Sequence, residues 1–431
     1  MTTRAELVIC GAGIAGVTAA YHLAVRQGVR DVVLVDERDP LTLTSDRGTQ
    51  GYRNWWPGPD DTMLRFVSRS IDLFEEIAGE TSNLFRLNRR GYLFATADEA
   101  GVERLRTTAQ QVSRYGMGAL REHANPGTYE PAPAEGFRDQ PVGADLLIGD
   151  EPLRAFPFLS PTTRAALHVR RAGWMNAAAL GAWMVKQSVA AGVTFLRDGV
   201  AAIDTSGGRV SRVRLESGAS IDTNRVVLAT GPMLPATGRL LGIDLPLFHE
   251  LHAKVTFPDT LGIFPRSAPF TIWIDPVGSL PGGVHVRPID GPLGNELYFI
   301  WTYHTEPCAP VWPQQFDPRY ADICLRGLAA MAPGMSAYLG VAERGVVDGG
   351  YYCKTTDNRP LVGPLPVDGA FVIGGLSGTG IMTSQSAAEL LAAHVTGSAL
   401  PEWSNAFLPS RYDSPLYVEQ ALRAGALAGQ L

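Results

Sequence analysis

Three glycines near the start of the chain have the spacing that holds the pyrophosphate of a dinucleotide. Gly11, Gly13 and Gly16 form a G-x-G-x-x-G turn directly after the short strand 6–10, which is apolar from residue 7 onward. In such a turn the first glycine permits the tight bend, the second lets a phosphate approach the backbone, and the third lets the next helix pack closely. The phosphates then meet the positive N-terminal end of that helix. The spacing therefore predicts a dinucleotide-binding site.

The elements around this turn support the same interpretation. An apolar helical segment follows over 17–27 and stops at Gly28, and a second strand over 32–35 ends at Asp36, whose carboxylate can hold ribose hydroxyls. The ordered series of strand, turn, helix, strand and acid is more specific than the glycines alone. The alternative is a chance glycine turn between a strand and a helix. Neither interpretation identifies the dinucleotide.

Composition narrows the class of protein. The chain has 431 residues, too many for one small core, so two connected domains are expected. A formal net charge of −6, with no Lys/Arg run longer than two, argues against nucleic acid and anionic membranes as partners.

The four cysteines lack C-x-x-C spacing, so neither a metal site nor a disulfide framework is predicted. The early glycine motif leaves no room for a signal peptide and no apolar run would span a membrane, so a cytoplasmic location is expected.

Two further segments suit contact with a ligand. The loop 41–59 combines small polar residues, glycines and flat aromatic residues, as expected of a loop that lies against a heterocycle. The alternative is a surface loop with buried tryptophans. A second glycine-rich junction leads from a strand over 370–373 through 374–380 into a helix that ends near Gly397. Its backbone N–H groups and helix dipole can point at an electron-rich group.

Other elements position these segments. Helical periodicity is expected over 63–77, 98–115, 177–191 (with Asn176 as N-cap) and 321–331. The apolar run before Thr230 and Gly231 is typical of a central strand in a parallel sheet. Residues 245–342 are rich in strands and predict an antiparallel sheet that faces the ligand. The stretch 123–145 predicts a long loop, for which a lid over the site is one interpretation.

Taken together, these motifs resemble the D-amino-acid oxidase superfamily of FAD-dependent oxidoreductases, in the branch with sarcosine oxidase and glycine oxidase. Besides the first glycine turn and Asp36, the resemblance rests on the helix at Asn176, the runs 192–193, 226–231 and 241–243, and the segments 355–363, 374–380 and 407–412. It implies an α/β fold: a Rossmann-like FAD-binding domain of the GR2 type with a second, antiparallel-sheet α+β substrate domain. The expected FAD-binding domain is 1–90, 150–240 and 343–431, and the substrate domain is 91–149 and 241–342.

The resemblance implies FAD as the cofactor. The pyrophosphate would lie at the first glycine turn, the ribose at Asp36, the adenine at the backbone of Val200, and the flavin pyrimidine at 379–382. The full set of expected cofactor residues is Gly11, Gly13, Ile14, Ala15, Gly16, Asp36, Glu37, Ser45, Arg47, Gly48, Thr49, Val200, Thr230, Gly231, Gly375, Gly378, Thr379, Gly380, Ile381 and Met382.

The implied reaction is hydride transfer to flavin N5 from a carbon that bears an amine, in a small amine or N-alkyl amino acid. The imine formed is then hydrolysed, and oxygen or a carrier reoxidises the flavin. FAD performs the redox step, so the protein needs only to orient the donor and favour a neutral amine. Two alternatives stay open: oxidation of a 2-hydroxy acid or polyol, and a flavin-binding subunit without turnover.

The chain departs from the family pattern at three places. Where sarcosine oxidase-like members attach FAD through a cysteine, this chain has Gly350, so non-covalent FAD is predicted. Where many members place a lysine for the substrate carboxylate, it has Met382. The strand 297–302, which usually presents an oxygen-activating lysine, contains none, and this makes fast oxygen use doubtful.

The candidates for substrate contact begin with Arg53, because a guanidinium matches a carboxylate with two parallel hydrogen bonds. Its alternative is an ion pair with Asp60 or Asp61. A lysine in the middle of a strand, such as Lys254, usually points to solvent. Tyr352 and Lys354 lie two residues apart on a strand and must share a face. The candidate set is Arg53, Lys254, Tyr352, Lys354, Trp301 and His249.

Overall fold

A computed structural model describes residues 2–291 and 294–424. The strands are β1 (Thr2–Arg4), β2 (Leu7–Cys10), β3 (Val32–Asp36), β4 (Gly51–Arg53), β5 (Tyr92–Thr96), β6 (Leu120–His123), β7 (Ala144–Ile148), β8 (Ala165–Val169), β9 (Ala172–Trp174), β10 (Thr194–Arg197), β11 (Val200–Ser206), β12 (Arg209–Leu215), β13 (Ser220–Asp222), β14 (Val226–Leu228), β15 (Phe248–Pro258), β16 (Phe270–Trp273), β17 (Val284–Gly291), β18 (Gly294–Ile300), β19 (Val346–Lys354), β20 (Leu361–Pro364) and β21 (Ala370–Gly374). The helices are α1 (Ile14–Tyr21), α2 (Thr44–Arg47), α3 (Thr62–Glu80), α4 (Glu99–Val112), α5 (Glu151–Ala155), α6 (Ala177–Ala190), α7 (Leu234–Arg239), α8 (Tyr320–Met331), α9 (Gly380–Thr396) and α10 (Pro415–Ala424).

A six-stranded sheet carries the two glycine-rich junctions. Its order is β10-β3-β2-β14-β21-β20, and every pair is parallel except β20–β21. The strand β14 lies between β2 and β21 with all its side chains buried, as its continuous apolar run predicts. On one side α1 packs against α6 and α9, and α9 also packs against α3. Both β2 and β21 lead into helices of this layer.

A nine-stranded sheet forms the second layer, in the order β19-β15-β18-β17-β16-β5-β8-β7-β6. It is antiparallel except for the pairs β16–β5 and β6–β7, so the predicted antiparallel sheet is right for most of its strands. The helix α8 covers it, and their apolar side chains form a second core. A four-stranded sheet, β1-β13-β12-β11, and the pair β4–β9 complete the α/β architecture.

Two strands belong to a different sheet than the predicted domain ranges imply. The ranges 150–240 and 343–431 were expected to serve the FAD-binding domain, yet β8 and β19 lie in the nine-stranded sheet. Their hydrogen bonds explain this: β8 pairs with both β5 and β7, and β19 pairs with β15 from Val346 to Lys354. The division into domains stays a prediction, with these strands as exceptions in sheet membership.

The predicted helix boundaries hold where a cap defines them. The Asn176 side chain accepts a hydrogen bond from the Ala179 N–H at 2.9 Å and so begins α6. Gly397, with a φ of 71°, ends α9 in the left-handed conformation. Where no cap is present, the predicted segment 98–115 is shorter as a regular helix, since α4 ends at Val112 and continues as a wider turn.

A charged network fastens the segment 409–417 to the turn after β19. Asp357 accepts hydrogen bonds from Arg411 at 2.9 Å, Tyr412 at 2.8 Å and Tyr417 at 2.6 Å. Burial disfavours the charge of Asp357, but Arg411 and the two hydroxyl groups outweigh burial and lower its pKa to about 2.

This network predicts a pH-dependent contribution to stability. Because the pKa of Asp357 is lower in the folded chain than in the unfolded chain, its stabilising effect is full above about pH 4 and is lost as the pH falls toward 2. A shift of this size corresponds to about 2 kcal/mol. We expect Asp357→Asn to lower the free energy of unfolding by about this amount at pH 7, and by progressively less below pH 4. Urea unfolding over this pH range measures the effect, and a loss that does not change with pH would contradict it.

Candidate functional site

A cavity of 460 Å³ opens beside the first glycine turn. Its volume lies in the range typical of small-molecule sites. The lining combines residues from both large sheets, from the loop 41–50, and from the start of α9. The sequence-predicted cofactor residues that line it are Gly11, Gly13, Ile14, Ala15, Asp36, Glu37, Ser45, Gly48, Thr49, Val200, Thr230, Gly231, Gly375, Gly378, Thr379, Gly380, Ile381 and Met382. Gly16 and Arg47 do not line it.

The three glycines of the first turn have different structural roles. Gly11 has a φ of 102°, and a Cβ there would lie 2.6 Å from the Ala229 carbonyl oxygen. A Cβ on Gly16 would lie 1.8 Å from the Gly11 carbonyl oxygen, so Gly16 permits the turn to close and does not reach the cavity. A Cβ on Gly13 meets only the Ser45 Oγ, at 3.3 Å, and a longer side chain would enter the cavity. Gly13 is therefore the position that keeps space for a ligand.

An acidic cluster (Asp36, Glu37, Asp198 and Glu216) lines the cavity beside β3 and β10. The Asp36 carboxylate accepts the N–H groups of Ala12 at 2.7 Å and Arg38 at 2.9 Å, which fixes it against the glycine turn. Sequence reasoning missed Asp198 and Glu216, and it also missed the lining residues of α7. No local motif marks them: Gly199 and Glu216 meet only in the fold, where a Cβ on Gly199 would lie 2.4 Å from the Glu216 carboxyl carbon.

The loop 41–50 forms one wall of the cavity and is bonded to both large sheets. On the side of the six-stranded sheet, the Ser45 Oγ accepts the Ile14 N–H at 2.9 Å. On the other side, the Thr44 hydroxyl donates to the Tyr351 carbonyl at 3.2 Å. Arg47 points away from the cavity, toward Asp348 at 3.1 Å. Its ion pair with Asp348 indicates that Arg47 anchors the loop, and the structure gives no support to its expected contact with the cofactor.

The loop also holds three residues other than glycine in the left-handed region: Leu41 (φ 67°), Leu43 (φ 55°) and Gln50 (φ 60°). Such conformations cost free energy and persist where surrounding contacts determine them. The anchors on both sides of the loop supply those contacts.

An Arg53 cluster (Arg53, Tyr92, Tyr352 and Met382) forms another part of the lining. The Arg53 guanidinium carbon lies 5.5 Å from the Tyr92 ring centroid. The Met382 sulfur accepts the Arg53 N–H at 3.3 Å, so the residue that replaces the family's lysine positions the arginine backbone. Burial raises the pKa of both Tyr92 and Tyr352 to about 12, which keeps their hydroxyl groups protonated.

Among the described lining residues, the Arg53 cluster has Arg53 as its charged member and contains no carboxylate. The carboxylates of the lining all belong to the acidic cluster. Asp60, an alternative partner for Arg53, forms its ion pair with Arg359 at 2.6 Å.

Four of the six candidate substrate residues do not line the cavity, so the structure gives no support to their expected contact with the substrate. Lys254 is buried and pairs with Asp348 at 2.9 Å, while its ammonium lies 4.1 Å from the Tyr298 ring centroid. Lys354 is buried and pairs with Glu250 at 3.1 Å. The Trp301 indole donates to the Pro281 carbonyl at 3.0 Å within the second core. His249 is buried on β15, where burial lowers its pKa.

Behind Tyr352 lies a buried pair of polar residues that sequence reasoning missed. The His252 ring stacks on Tyr352 with centroids 3.8 Å apart, and its Nε2 lies 2.9 Å from Glu250. Glu250 also holds Lys354, so the shared strand face of Tyr352 and Lys354 combines one lining residue with one buried ion pair. No local motif marks these residues, because they meet only through the register between β15 and β19.

The long loop 124–143 lies away from the cavity. None of its described residues is part of the lining. Its ends are held at β6 and β7, where His123 Nε2 lies 2.9 Å from Asp145. The interpretation of this segment as a lid is therefore not supported by its position.

A protein-family model described as DAO, FAD dependent oxidoreductase, matches residues 6–394. The chain belongs to this family of FAD-dependent oxidoreductases. The resemblance inferred from the motifs and the α/β fold class is thereby confirmed, and FAD is the cofactor of the DAO family.

Relatives of known name support the assignment to the DAO family. The mitochondrial dimethylglycine dehydrogenase of Rattus norvegicus is 29% identical over 266 residues, which cover 58% of this chain and 26% of that protein. The match thus spans about a quarter of that relative. The L-proline dehydrogenase structure from P. horikoshii has a TM-score of 0.76 at 20% identity, covering 96% of this chain and 99% of the other. Iminodiacetate oxidase from Chelativorans sp. BNC1 has a TM-score of 0.71 at 21% identity, covering 94% and 98%.

The cavity fits FAD by its own geometry. Gly13 leaves room at the N-terminus of α1, where the helix dipole suits a pyrophosphate. A cysteine at position 350 would be crowded, since a Cβ on Gly350 would lie 2.9 Å from the Thr44 Cα. Cys353 lines the cavity, but burial raises the pKa of its thiol to about 12.

We expect the purified protein to be yellow and acid precipitation to release the flavin into the supernatant, because position 350 carries no thiol. Absorbance of supernatant and pellet measures this. Colour that stays in the pellet would contradict the prediction, and its loss in Cys353→Ser would identify Cys353 as the attachment point.

Across residues 2–291 and 294–424, no helix has both the length and the apolar character needed to cross a membrane. In the same ranges, no group of three or more His, Cys, Asp or Glu residues is arranged to hold a metal ion. The cytoplasmic location stays a prediction.

Proposed function

We propose that the protein oxidises the C–N bond of a small amino acid with a substituted amine, such as an N-alkyl amino acid. The observation that carries this proposal is Arg53, a cation in the cavity lining with its backbone held by Met382. A guanidinium binds a carboxylate through two parallel hydrogen bonds, and Tyr92 and Tyr352 add protonated hydroxyl groups beside it. A substrate whose carboxylate is bound by Arg53 would have its reacting carbon within the same cavity.

The distribution of charge also favours a neutral amine. The carboxylates of the described lining belong to the acidic cluster, while the Arg53 cluster has none. Glu250, the carboxylate behind Tyr352, is already bonded to His252 and Lys354. A protonated amine beside Arg53 would therefore meet a cation and no counter-charge, which lowers its pKa. When bound, FAD supplies the hydride acceptor.

The named relatives support the same substrate class. Dimethylglycine, L-proline and iminodiacetate, which appear in their names, each combine a carboxylate with a substituted amine. Arg53 offers a partner for the feature that these compounds share.

Anaerobic bleaching of the flavin tests the proposal. Candidate substrates fall into three groups: N-alkyl amino acids, amines without a carboxylate, and 2-hydroxy acids. We expect bleaching by the first group at the lowest concentrations. Stronger bleaching by hydroxy acids would replace the proposal with 2-hydroxy-acid oxidation. Bound FAD that no compound bleaches would favour a flavin-binding subunit without turnover.

The choice of electron acceptor gives a separate prediction. The strand β18 carries no lysine, and Lys254 and Lys354 are paired with carboxylates outside the lining. No lysine of the described lining can therefore stabilise superoxide as it forms. We expect artificial dyes or a carrier to reoxidise the reduced flavin faster than oxygen does. Stopped-flow reoxidation measures both rates, and rapid peroxide production at air saturation would refute the expectation.

A further inference from the structure

Arg287, on β17, is a buried cation that does not line the cavity. It is 2% exposed, and its Nε donates to the Thr49 carbonyl at 2.7 Å while Nη1 donates to the Pro288 carbonyl at 3.2 Å. Its guanidinium carbon lies 5.1 Å from the Trp174 ring centroid and 4.8 Å from that of Tyr298. Among the described residues, no carboxylate forms an ion pair with it. Burial lowers the pKa of Arg287 to about 9, so it stays protonated at neutral pH.

The two aspartates of this neighbourhood already pair with other cations. Asp348 pairs with Lys254 at 2.9 Å and with Arg47 at 3.1 Å, and Asp46 lies 3.8 Å from Arg47. Lys254 lies on the Tyr298 ring, which Arg287 also contacts. The excess positive charge beside the loop 41–50 therefore belongs to Arg287. Burial of a cation without a counter-ion costs folding free energy, so Arg287 is retained here at a cost to stability.

The geometry of one peptide links Arg287 to the cavity. Arg287 binds the Thr49 carbonyl, and in a planar trans peptide the N–H of Gln50 points to the opposite side. Thr49 and Gln50 both line the cavity, whereas Arg287 does not. The Gln50 N–H donates to no other group in the described part of the chain. A cation at the carbonyl polarises the peptide and strengthens its N–H as a donor.

We propose that Arg287 is a positioning residue that acts through the Thr49–Gln50 peptide, directing the Gln50 N–H into the cavity and stabilising negative charge on the cofactor when it is reduced. This inference rests on the proposed function, since it places FAD in this cavity. Because Arg287 lies outside the cavity lining, it would stabilise negative charge on the flavin ring without contacting molecular oxygen. Its effect is therefore thermodynamic, on the reduction potential.

Two measurements on the FAD-loaded protein test this role without turnover. The first is the reduction potential, by equilibration with reference dyes. The second is the Kd of sulfite, an anion that adds reversibly to the flavin ring and bleaches it. We expect Arg287→Met to weaken sulfite binding at least tenfold and to lower the potential by about 30 mV or more, the equivalent of a tenfold change for two electrons. Arg287→Lys, which keeps the charge, should show smaller changes in both.

Arg170→Met is the matched control, because Arg170 is also buried beside the nine-stranded sheet but pairs with Asp145 at 3.2 Å, away from the cavity. Its potential should equal that of the wild type. An Arg287→Met protein that binds FAD with unchanged potential and sulfite Kd would overturn the inference. If Arg287→Met fails to fold, Arg287→Gln, which also lacks the charge but keeps a polar side chain, takes its place: unchanged potential and sulfite Kd in that variant would overturn the inference, and shifted values would support it. A wild type that binds FAD and sulfite but is bleached by no amino acid would refute the proposed function alone.

Discussion

Arg53→Ala is expected to lower kcat/KM for an amino-acid substrate by roughly 30-fold to several thousand-fold while FAD stays bound. Removal of one partner of a buried, charge-assisted pair costs about 2–5 kcal/mol, because the remaining charge is left poorly solvated. Arg53 lies in the cavity lining beside Tyr92. Among the described lining residues, its cluster contains no carboxylate that could bind the substrate through its amine instead. Steady-state kinetics with a dye acceptor measures the loss, and flavin absorbance reports cofactor content.

Two further variants make the Arg53 result specific. Arg53→Lys keeps the charge but loses the planar fork, so it should recover only part of kcat/KM. Arg65→Ala removes an arginine that is 45% exposed on α3 and only weakly paired, and it should change little. An unchanged kcat/KM in Arg53→Ala would eliminate the Arg53–carboxylate contact and favour a substrate without a carboxylate.

Gly13→Leu is expected to abolish FAD binding and leave the fold intact. A Cβ at this position meets only the Ser45 Oγ at 3.3 Å, so the backbone accepts a side chain. The rest of a leucine side chain would then fill the space in the cavity at the N-terminus of α1, where the pyrophosphate is expected. The measurements are flavin content after purification and the apoprotein's thermal unfolding. Stoichiometric flavin in this variant would show that the pyrophosphate lies elsewhere.

Gly16→Ala supplies the contrast within the same turn. Its Cβ would lie 1.8 Å from the Gly11 carbonyl oxygen, so this variant should lose thermal stability itself. The two variants are therefore expected to differ: Gly13→Leu loses FAD binding, and Gly16→Ala loses stability because the turn is disrupted. A single effect shared by both variants would contradict these roles.

The elements that the sequence predicted well are those set by neighbouring residues. The G-x-G-x-x-G turn, the acid after β3, the Asn176 cap and the central apolar strand β14 depend on local spacing, caps and burial on both faces. Of these features, the glycine turn and Asp36 line the cavity. The second glycine junction was found for the same reason.

The part that could not be predicted depends on register between distant strands. Tyr92, Glu250 and His252 reach the Arg53 cluster through pairings across the nine-stranded sheet, and no local motif marks them. Lys254 and Lys354 were predicted to contact the substrate, yet their carboxylate partners Asp348 and Glu250 determine where they point. Sequence spacing cannot show which charges are already paired.

The attachment of the loop 41–50 to both sheets has a kinetic consequence. A movement of the loop that widens the cavity must open the bonds on one side, either at Ser45 or at the Thr44, Arg47 and Thr49 contacts. Such a movement is a local unfolding event, and its rate is set by these bonds. Exchange of a bound molecule along this side of the cavity would therefore be slower than exchange through its open side.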